Sequence, residues 1–350
     1  MNKKDLVHIL SLTDENELEL IRRTAAETLL RYCGNKVYYR GLIEFSNICA
    51  NNCYYCGIRV ENADVKRYLL AKEEILESAL WCAEAGYGSV VLQSGERRDE
   101  RFISFVEETV RAIKEKSISA TLPKGLGITL SVGEQTLETY QRFFAAGAHR
   151  YLLRIETTDP VLFAAIHPAH QTLVARIAAL DALKTAGFQV GTGVMIGLPG
   201  QTVEQLAGDL EFFKRMDVAM IGMGPYIVHA DTPMAAWPRV ADRTPAQRFD
   251  LGLRMIAATR LLLKDVNIAA ATALQAIDPR GREEGLRWGA NVIMPQVTPM
   301  KVRREYQLYD GKPCLDESAR QCRAYLAARI ASIGRETGYD EWGDSRHVAR

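Results

Sequence analysis

Three cysteines near residue 50 are the side chains of this chain best suited to chemistry. Cys49, Cys53 and Cys56 are separated by three residues and then by two, so their thiols can converge on one soft metal centre. Structural zinc sites close with four protein ligands, and iron-sulfur sites built from four cysteines take four thiolates. A cluster held by three thiolates would keep one iron with an open coordination position, where a small molecule can bind.

The spacing of these cysteines, with the aromatic Tyr55 before the last one, is typical of the radical S-adenosylmethionine (SAM) superfamily. That resemblance implies a 4Fe-4S cluster whose unique iron binds the amino and carboxylate groups of SAM. Reduction of the cluster then cleaves SAM to a 5'-deoxyadenosyl radical. The triplet by itself leaves two other interpretations open, a zinc site and a redox relay.

Composition and charge restrict the classes of partner. Lys and Arg number 44 against 43 Asp and Glu, so no basic surplus indicates a nucleic acid or an anionic membrane as partner. The N-terminus lacks the apolar segment of a signal peptide, and no run of about 18 apolar residues occurs. We therefore expect a cytoplasmic protein, and seven cysteines outside any small secreted framework agree with a reducing compartment.

The elements that must position the cysteines follow a regular alternation. Residues 3–33 carry apolar residues at helical spacing and predict two helices. From residue 41, eight apolar segments alternate with amphipathic ones, which favours a single (β/α)8 TIM barrel of the α/β class. The predicted strands are 42–46, 89–93, 127–131, 150–155, 189–196, 220–226, 267–273 and 291–294. We expect three parts, which are an N-terminal helical cap at 1–40, the barrel at 41–300, and a C-terminal extension at 301–350 packed near the barrel mouth.

Polar and glycine-rich residues recur where the predicted strands end, which is where (β/α)8 barrels carry their chemistry. The residues at these ends include Ser94, Gly95, Ser131, Arg154 and Glu156. Plainer interpretations are an ordinary turn for Ser94 and Gly95 and an ion pair at the rim for Arg154 and Glu156. The glycine-rich run 191–200 lacks both the Lys-Ser/Thr of a P-loop and the GxGxxG order, so it does not predict a phosphate cradle.

Several longer segments together resemble one family, the FeFe-hydrogenase maturase HydE, which belongs to the biotin synthase-like group of radical SAM enzymes. The matching segments are 43–59, 91–96, 150–157, 197–202, 224–225 with 231–233, 289–295 and 306–312. They extend from about residue 40 to about residue 315. The cysteine triplet identifies only the superfamily, whereas this combination is far more specific.

The resemblance implies a role for each matching residue. Cys49, Cys53 and Cys56 would bind the 4Fe-4S cluster. The SAM site would be formed by Tyr55, Ser94, Gly95, Ser131, Glu156, Arg176 and Met195. The substrate cavity would be lined by Arg154, Met195, Met220, Thr272, Tyr306 and Tyr309. Arg154 and Tyr306 are the predicted catalytic residues. Arg176 also has a chemical reason, because a guanidinium is the natural bidentate partner of a carboxylate.

As the family implies, the radical would act on an Fe(CO)2(CN)-cysteine complex supplied by the maturase HydG, and the diiron product would pass to the scaffold HydF. We expect a monomer that binds neither nucleic acid nor membrane. One rival is methylornithine synthase, which shares the architecture but acts on an amino acid. A biotin synthase would need further cluster ligands inside the barrel, and the predicted strands contain no cysteine. A rival of another class is a non-enzymatic iron-sulfur carrier.

One position departs from the family. HydE proteins can carry a second cluster near the C-terminus, held by three cysteines at spacings of seven and then two residues. Cys314 and Cys322 keep the first spacing, but the third position is Tyr325. We therefore expect no second cluster.

Overall fold

A ring of eight parallel strands forms the centre of the molecule, in a computed structural model that describes residues 1–348 apart from the side chains of Cys322 and Ala324. The strands are β1 (Lys36–Ser46), β2 (Ser89–Ser94), β3 (Gly127–Ser131), β4 (Arg150–Leu152), β5 (Gln189–Thr192), β6 (Met195–Ile196), β7 (Met220–Ile221), β8 (Gly224–Pro225), β9 (Asn267–Ile268), β10 (Val292–Ile293) and β11 (Glu336–Gly338). The ring runs β10, β1, β2, β3, β4, β5, β7, β9, and a parallel bridge between Ala269 and Val292 joins its ends. The predicted TIM barrel is confirmed.

Several strands differ in length from the prediction. β1 begins at Lys36, because its first half pairs with β10 and β11 and its second half with β2. The predicted segments 189–196 and 220–226 are each divided into two short strands. The backbones approach closely at this division, where a Cβ on Gly193 would lie 1.9 Å from the Gly222 oxygen. The predicted strand 267–273 is wrong beyond Ile268, since Thr272 begins a helix.

Helices follow the strands of the ring along the chain, and two further helices precede β1. They are α1 (Lys3–Ser11), α2 (Glu15–Cys33), α3 (Lys72–Glu84), α4 (Glu100–Lys116), α5 (Leu137–Ala145), α6 (Pro160–Ile166), α7 (Leu173–Thr185), α8 (Val203–Arg215), α9 (Pro245–Leu263), α10 (Thr272–Ile277), α11 (Gly281–Arg287), α12 (Met300–Arg303) and α13 (Ala319–Ser332), with 3-10 turns at Pro233–Ala236 and Arg346–Val348. The two predicted N-terminal helices are α1, which packs on α8 and α9, and α2, which packs on α9. The division of the chain at residues 40 and 300 stays a prediction. Among residues 1–348 no helix is both long and apolar enough to cross a membrane.

The C-terminal extension reaches both ends of the barrel. Its first part supplies residues to the cavity at the carboxyl ends of the strands, near the expected position. Its last part lies at the opposite end, where Arg40 and Arg150 are buried. Arg150 Nη1 donates to the Trp342 oxygen (2.9 Å), and Arg40 Nη2 donates to the Gly343 oxygen (3.1 Å). Buried guanidinium groups need acceptors, and this second position of the tail differs from the prediction.

Candidate active site

The carboxyl ends of the strands enclose a cavity of about 330 Å³. The predicted site residues that line it are Cys49, Cys53, Tyr55, Cys56, Ser94, Gly95, Ser131, Arg154, Glu156, Arg176, Met195, Thr272, Tyr306 and Tyr309. A single cavity therefore brings together residues that come from separate segments and were assigned to the cluster, to SAM and to the substrate.

Met220 is a predicted site residue that lies elsewhere. It begins β7, where it pairs with Gly191 and Asn267 in the ring, and its sulfur accepts a hydrogen bond from Arg40 Nη1. The cavity wall beyond β7 is formed by later residues such as Gly222. The structure therefore places Met220 in the layer beneath the cavity and not in its lining.

The cysteine loop directly follows β1 and is fixed by its neighbours. The backbone N–H of Tyr54 donates to the Ile166 oxygen (3.0 Å). The backbone N–H groups of Asn51 and Glu96 both point at the Cys49 sulfur, each at 3.4 Å. Hydrogen bonds to cysteine sulfur are among the factors that tune iron-sulfur clusters. The loop is thus shaped to stabilise at least one thiolate.

Burial disfavours the thiolate forms of these cysteines. It raises the pKa of Cys53 to about 12 and the pKa of Cys56 well above its usual value, and the neighbouring cysteine sulfurs add to both shifts. Thiolates in such a place need positive partners, which bound iron supplies. Among the described residues no three His, Cys, Asp or Glu side chains are arranged to hold a single metal ion. The three cysteine thiols line one cavity, and together they would hold a 4Fe-4S cluster through their sulfurs.

The loop after β2 approaches the cysteine loop closely at Gly95. A Cβ at this position would lie 2.4 Å from the Ile48 oxygen and 2.7 Å from the Cys49 Cβ. The Gly95 N–H donates to the backbone oxygen of Ser46 (2.9 Å), and this hydrogen bond joins the two loops. A larger residue at Gly95 would therefore displace the segment that carries the cysteines.

The chain after β4 carries a strained residue. Glu156 has a φ of 66°, which non-glycine residues rarely adopt and which often marks functional sites. Arg154 Nη2 lies 2.9 Å from Glu156 Oε2, so the predicted ion pair forms. Burial raises the pKa of Glu156, although Arg154 and Arg176 oppose the shift. Within residues 1–348 the buried Glu156 Oε2 and Arg154 Nε have no aligned hydrogen bond, and unsatisfied buried polar atoms of this kind add a cost to this strained position.

Arg176 is already paired with protein groups. Its guanidinium donates to the Glu134 carboxylate and to the backbone oxygen of Arg154. Burial works against the charge of Arg176, but Glu134 raises its pKa above the usual range. A carboxylate of SAM at this guanidinium would therefore compete with Glu134.

Two tyrosines of the C-terminal extension complete the cavity wall. Gln93 Nε2 donates to the Tyr306 hydroxyl (3.2 Å), and Lys312 Nζ lies 5.1 Å from the centre of the Tyr306 ring. Burial raises the pKa of Tyr306 and of Tyr309 well above the usual value. Both phenols therefore keep their protons at neutral pH.

Glu44 and Lys312 form a buried ion pair beside these tyrosines. Neither is among the predicted site residues. Lys312 Nζ donates to both carboxylate oxygens of Glu44 (2.5 and 2.6 Å) and to the backbone oxygen of Tyr306 (2.8 Å). Gln296 Nε2 donates to the same carboxylate (2.7 Å). A charge within the apolar strand segment 42–45 is a signal for Glu44, because a buried carboxylate needs a partner. No comparable signal identifies Lys312 as that partner.

The region of the second cluster is only partly described. Tyr325 occupies the third position of the spacing, and its hydroxyl donates to the Glu317 carboxylate. Cys314 is half-buried, and the side chain of Cys322 lies outside the described part of the structure. The absence of a second cluster therefore stays a prediction.

Comparisons with known proteins agree with this geometry. Residues 43–213 match the model of the Radical SAM superfamily. The [FeFe] hydrogenase maturase subunit HydE of Thermotoga maritima is 42% identical over 344 residues, which cover 98% of this chain and 93% of that protein. The 3-methylornithine synthase of Methanosarcina acetivorans is 27% identical over 298 residues, which cover 84% of this chain and 79% of that protein.

Solved structures share the fold. The crystal structure of methylornithine synthase (PylB) has a TM-score of 0.80 at 24% identity and covers 97% of this chain and 94% of its own. The structure of HydG, a maturase of the [FeFe]-hydrogenase, has a TM-score of 0.78 at 18% identity and covers 96% of this chain and 72% of its own. Both likenesses concern the fold alone.

A TIM barrel that carries this cysteine loop after its first strand, with a matching superfamily model, defines a radical SAM enzyme. Its class implies a 4Fe-4S cluster and SAM, so the zinc site, the redox relay and the non-enzymatic carrier are set aside. The chain belongs to the family of the [FeFe] hydrogenase maturase subunit HydE.

Proposed function

We propose that this enzyme takes part in maturation of FeFe hydrogenase and acts on an Fe(CO)2(CN)-cysteine precursor of the diiron subcluster. The observation that carries the proposal is the 42% identity to HydE over 98% of the chain. We further propose that a HydG-type maturase supplies the precursor, that the product passes to HydF, and that the chain works as a monomer without a second cluster.

The cofactor end of the cavity is formed by the cysteine loop and the first strand ends. When bound, the cluster and SAM supply a 5'-deoxyadenosyl radical to the cavity. The proposed cluster ligands are Cys49, Cys53 and Cys56, and the proposed SAM contacts are Tyr55, Ser94, Gly95, Ser131, Glu156, Arg176 and Met195. Buried apolar side chains such as Leu153 and Met195 form part of the cavity wall, and exclusion of water around the reacting group protects a reactive radical from side reactions.

Arg154 is the proposed positive donor to the anionic precursor. Its Nη2 contacts the Val194 oxygen (3.0 Å) and Glu156, while its buried Nε has no hydrogen bond within the described residues. The Arg154 side chain is 34% exposed and lines the cavity, so its guanidinium can reach an anionic ligand and make charge-assisted hydrogen bonds to it. Thr272, Tyr306 and Tyr309 line the same cavity, and the neutral Tyr306 hydroxyl is the proposed second donor.

Hydrogenase activation in a reconstituted maturation mixture without HydE tests the proposal. We expect the wild-type chain to restore hydrogen production and Cys53→Ala to restore none, because that variant loses a cluster ligand. Cys82→Ala is the matched control, since Cys82 is a fully buried thiol outside the cavity lining. The same mixtures are assayed for 5'-deoxyadenosine. SAM cleavage without hydrogenase activation would contradict the maturation role while leaving the enzyme class intact.

Methylornithine synthesis from lysine is the second candidate function. It is favoured by the 27% identity to 3-methylornithine synthase over 84% of this chain. The reduced, reconstituted enzyme is incubated with lysine and SAM, and the products are analysed by mass spectrometry. We expect no methylornithine, and its formation would replace the maturation proposal.

A further inference from the structure

The connection between α6 and α7 packs against the cysteine loop at three points. The contacts are Tyr54 N to the Ile166 oxygen (3.0 Å), the Tyr55 hydroxyl to His167 Nε2 (3.2 Å), and the Cys53 sulfur to Gln171 Oε1 (3.3 Å). The first two hold the connection against the loop. The third brings a side-chain amide to the sulfur of a proposed cluster ligand. Gln171 is not among the predicted site residues.

The position of Gln171 is fixed by its own backbone. Its N–H donates to the Pro168 oxygen (2.9 Å), which closes a turn, and the next residue, Thr172, caps α7. At the other end of the connection His167 is buried, and its Nδ1 lies 2.9 Å from the Phe163 oxygen. The Gln171 amide therefore reaches Cys53 from a backbone that is held on both sides.

The protonated and the iron-bound forms of Cys53 require opposite orientations of this amide. A thiol donates its proton to the amide oxygen, which is the contact in the structure. A thiolate bound to iron has no proton and only accepts hydrogen bonds. Rotation of the terminal amide by about 180° exchanges its oxygen and nitrogen with little change in shape. The same side chain can therefore donate to the sulfur once the cluster is present.

We propose that Gln171 donates an N–H···S hydrogen bond to the Cys53 thiolate and thereby raises the reduction potential of the cluster. The proposal rests on the cluster that the family implies, and not on the substrate proposed above. One electron from an external reductant increases the negative charge on the cluster and its sulfurs. A hydrogen-bond donor consequently stabilises the reduced form more than the oxidised form. Gln171 is thus a positioning and tuning residue that acts through Cys53.

A potentiometric titration followed by electron paramagnetic resonance tests this proposal on the reconstituted full chain. We expect Gln171→Leu to lower the ratio of reduced to oxidised cluster at a fixed potential about tenfold, or ~59 mV for a one-electron couple. Gln171→Glu should lower the ratio further, because its carboxylate repels the thiolate. The exposed neighbour His170 provides the matched control, and His170→Ala should keep the wild-type potential.

An unchanged potential in Gln171→Leu at wild-type iron content would overturn the inference. A shift of equal size in His170→Ala would also overturn it, because the connection as a whole would then set the potential. If Gln171→Leu loses its iron, the isosteric Gln171→Glu decides, and a potential at or above the wild-type value counts against the proposal. A wild-type chain that assembles no 4Fe-4S cluster would refute the cofactor itself, whereas failed hydrogenase maturation leaves this result standing.

Discussion

Individual charges in the cavity are held by partners on other segments. The Glu44 carboxylate, on β1, is bound by Lys312 from the C-terminal extension and by Gln296. Lys312 also donates to the backbone oxygen of Tyr306, so one ammonium group joins the barrel wall to the segment that carries the cavity tyrosines. A buried ion pair contributes little net stability, but removal of one partner leaves a costly unpaired charge.

Lys312→Met tests the importance of this pair. The variant leaves Glu44 buried without its cation, and both side chains are more than nine-tenths buried, so we expect a loss of about 3–5 kcal/mol in the free energy of unfolding. Chemical denaturation measures it. The double variant Glu44→Gln with Lys312→Met removes both charges and should recover most of the loss. No recovery in the double variant would show that packing, not charge, is responsible.

At the scale of elements, α8 is joined to the chain after β4 by one carboxyl group. Asp209 Oδ1 accepts hydrogen bonds from Thr158 N (2.7 Å) and Thr158 Oγ1 (2.6 Å). Its Oδ2 is buried and has no hydrogen bond within residues 1–348. Burial raises the pKa of Asp209 from 3.8 to about 7, although Thr158 opposes the shift. This contact lies two residues from Glu156, so it supports the strained end of the site.

The Asp209 carboxyl group predicts a pH dependence of stability. The folded chain keeps the proton up to a pKa of about 7, while the unfolded chain loses it near 3.8. Stability from this group is therefore complete below about pH 4 and is lost as the pH rises to about 7, on the order of 4 kcal/mol in total. Asp209→Asn should remove this part of the dependence and be more stable than wild type at pH 8. Urea denaturation at several pH values checks it, and parallel curves for both proteins would refute it.

The close contact between the loops after β1 and β2 predicts that alanine at Gly95 reduces cluster content, whereas alanine at Gly208 does not. Gly95→Ala places a Cβ 2.4 Å from the Ile48 oxygen and should reduce the iron and sulfide bound per chain, because the cysteine loop must move. Gly208→Ala is the control. Its Cβ would lie 4.0 Å from the nearest atom, Lys3 Nζ, and alanine in a helix is favoured by up to about 1 kcal/mol. Iron and sulfide analysis measures the first effect, and equal cluster content in both variants would contradict it.

At the scale of the whole molecule, the sequence predicts what depends on local patterns. Apolar periodicity predicts the barrel strands, and the spacing of Cys49, Cys53 and Cys56 predicts the cysteine loop, since both signals lie within a few residues. The pair of Glu44 and Lys312 joins positions 268 residues apart, and no local pattern identifies such partners. The first and last residues of short strands such as β7 are equally hard to predict, because two residues carry no periodicity.

The two ends of the barrel have different roles, since one end carries the candidate active site and the other is covered by the end of the chain. The cavity lies at the carboxyl ends of the strands, whereas the last part of the extension covers the amino ends. There the Trp342 ring stacks on His149 at 4.6 Å, lies 4.2 Å from Lys114 Nζ, and donates from Nε1 to the Gly125 oxygen (2.7 Å). In TIM barrels this end serves stability and the opposite end serves catalysis.

Trp342→Ala should therefore reduce stability without changing the chemistry. We expect a loss of about 3 kcal/mol, because the ring is only partly buried and such truncations cost about 3–5 kcal/mol in a full core. Glu341→Ala is the control, since its ion pair with Lys36 is exposed and worth less than about 1 kcal/mol. Denaturation measures stability, and 5'-deoxyadenosine formed per folded molecule measures chemistry. Reduced SAM cleavage by folded Trp342→Ala would show instead that the amino end of the barrel controls the geometry of the cavity.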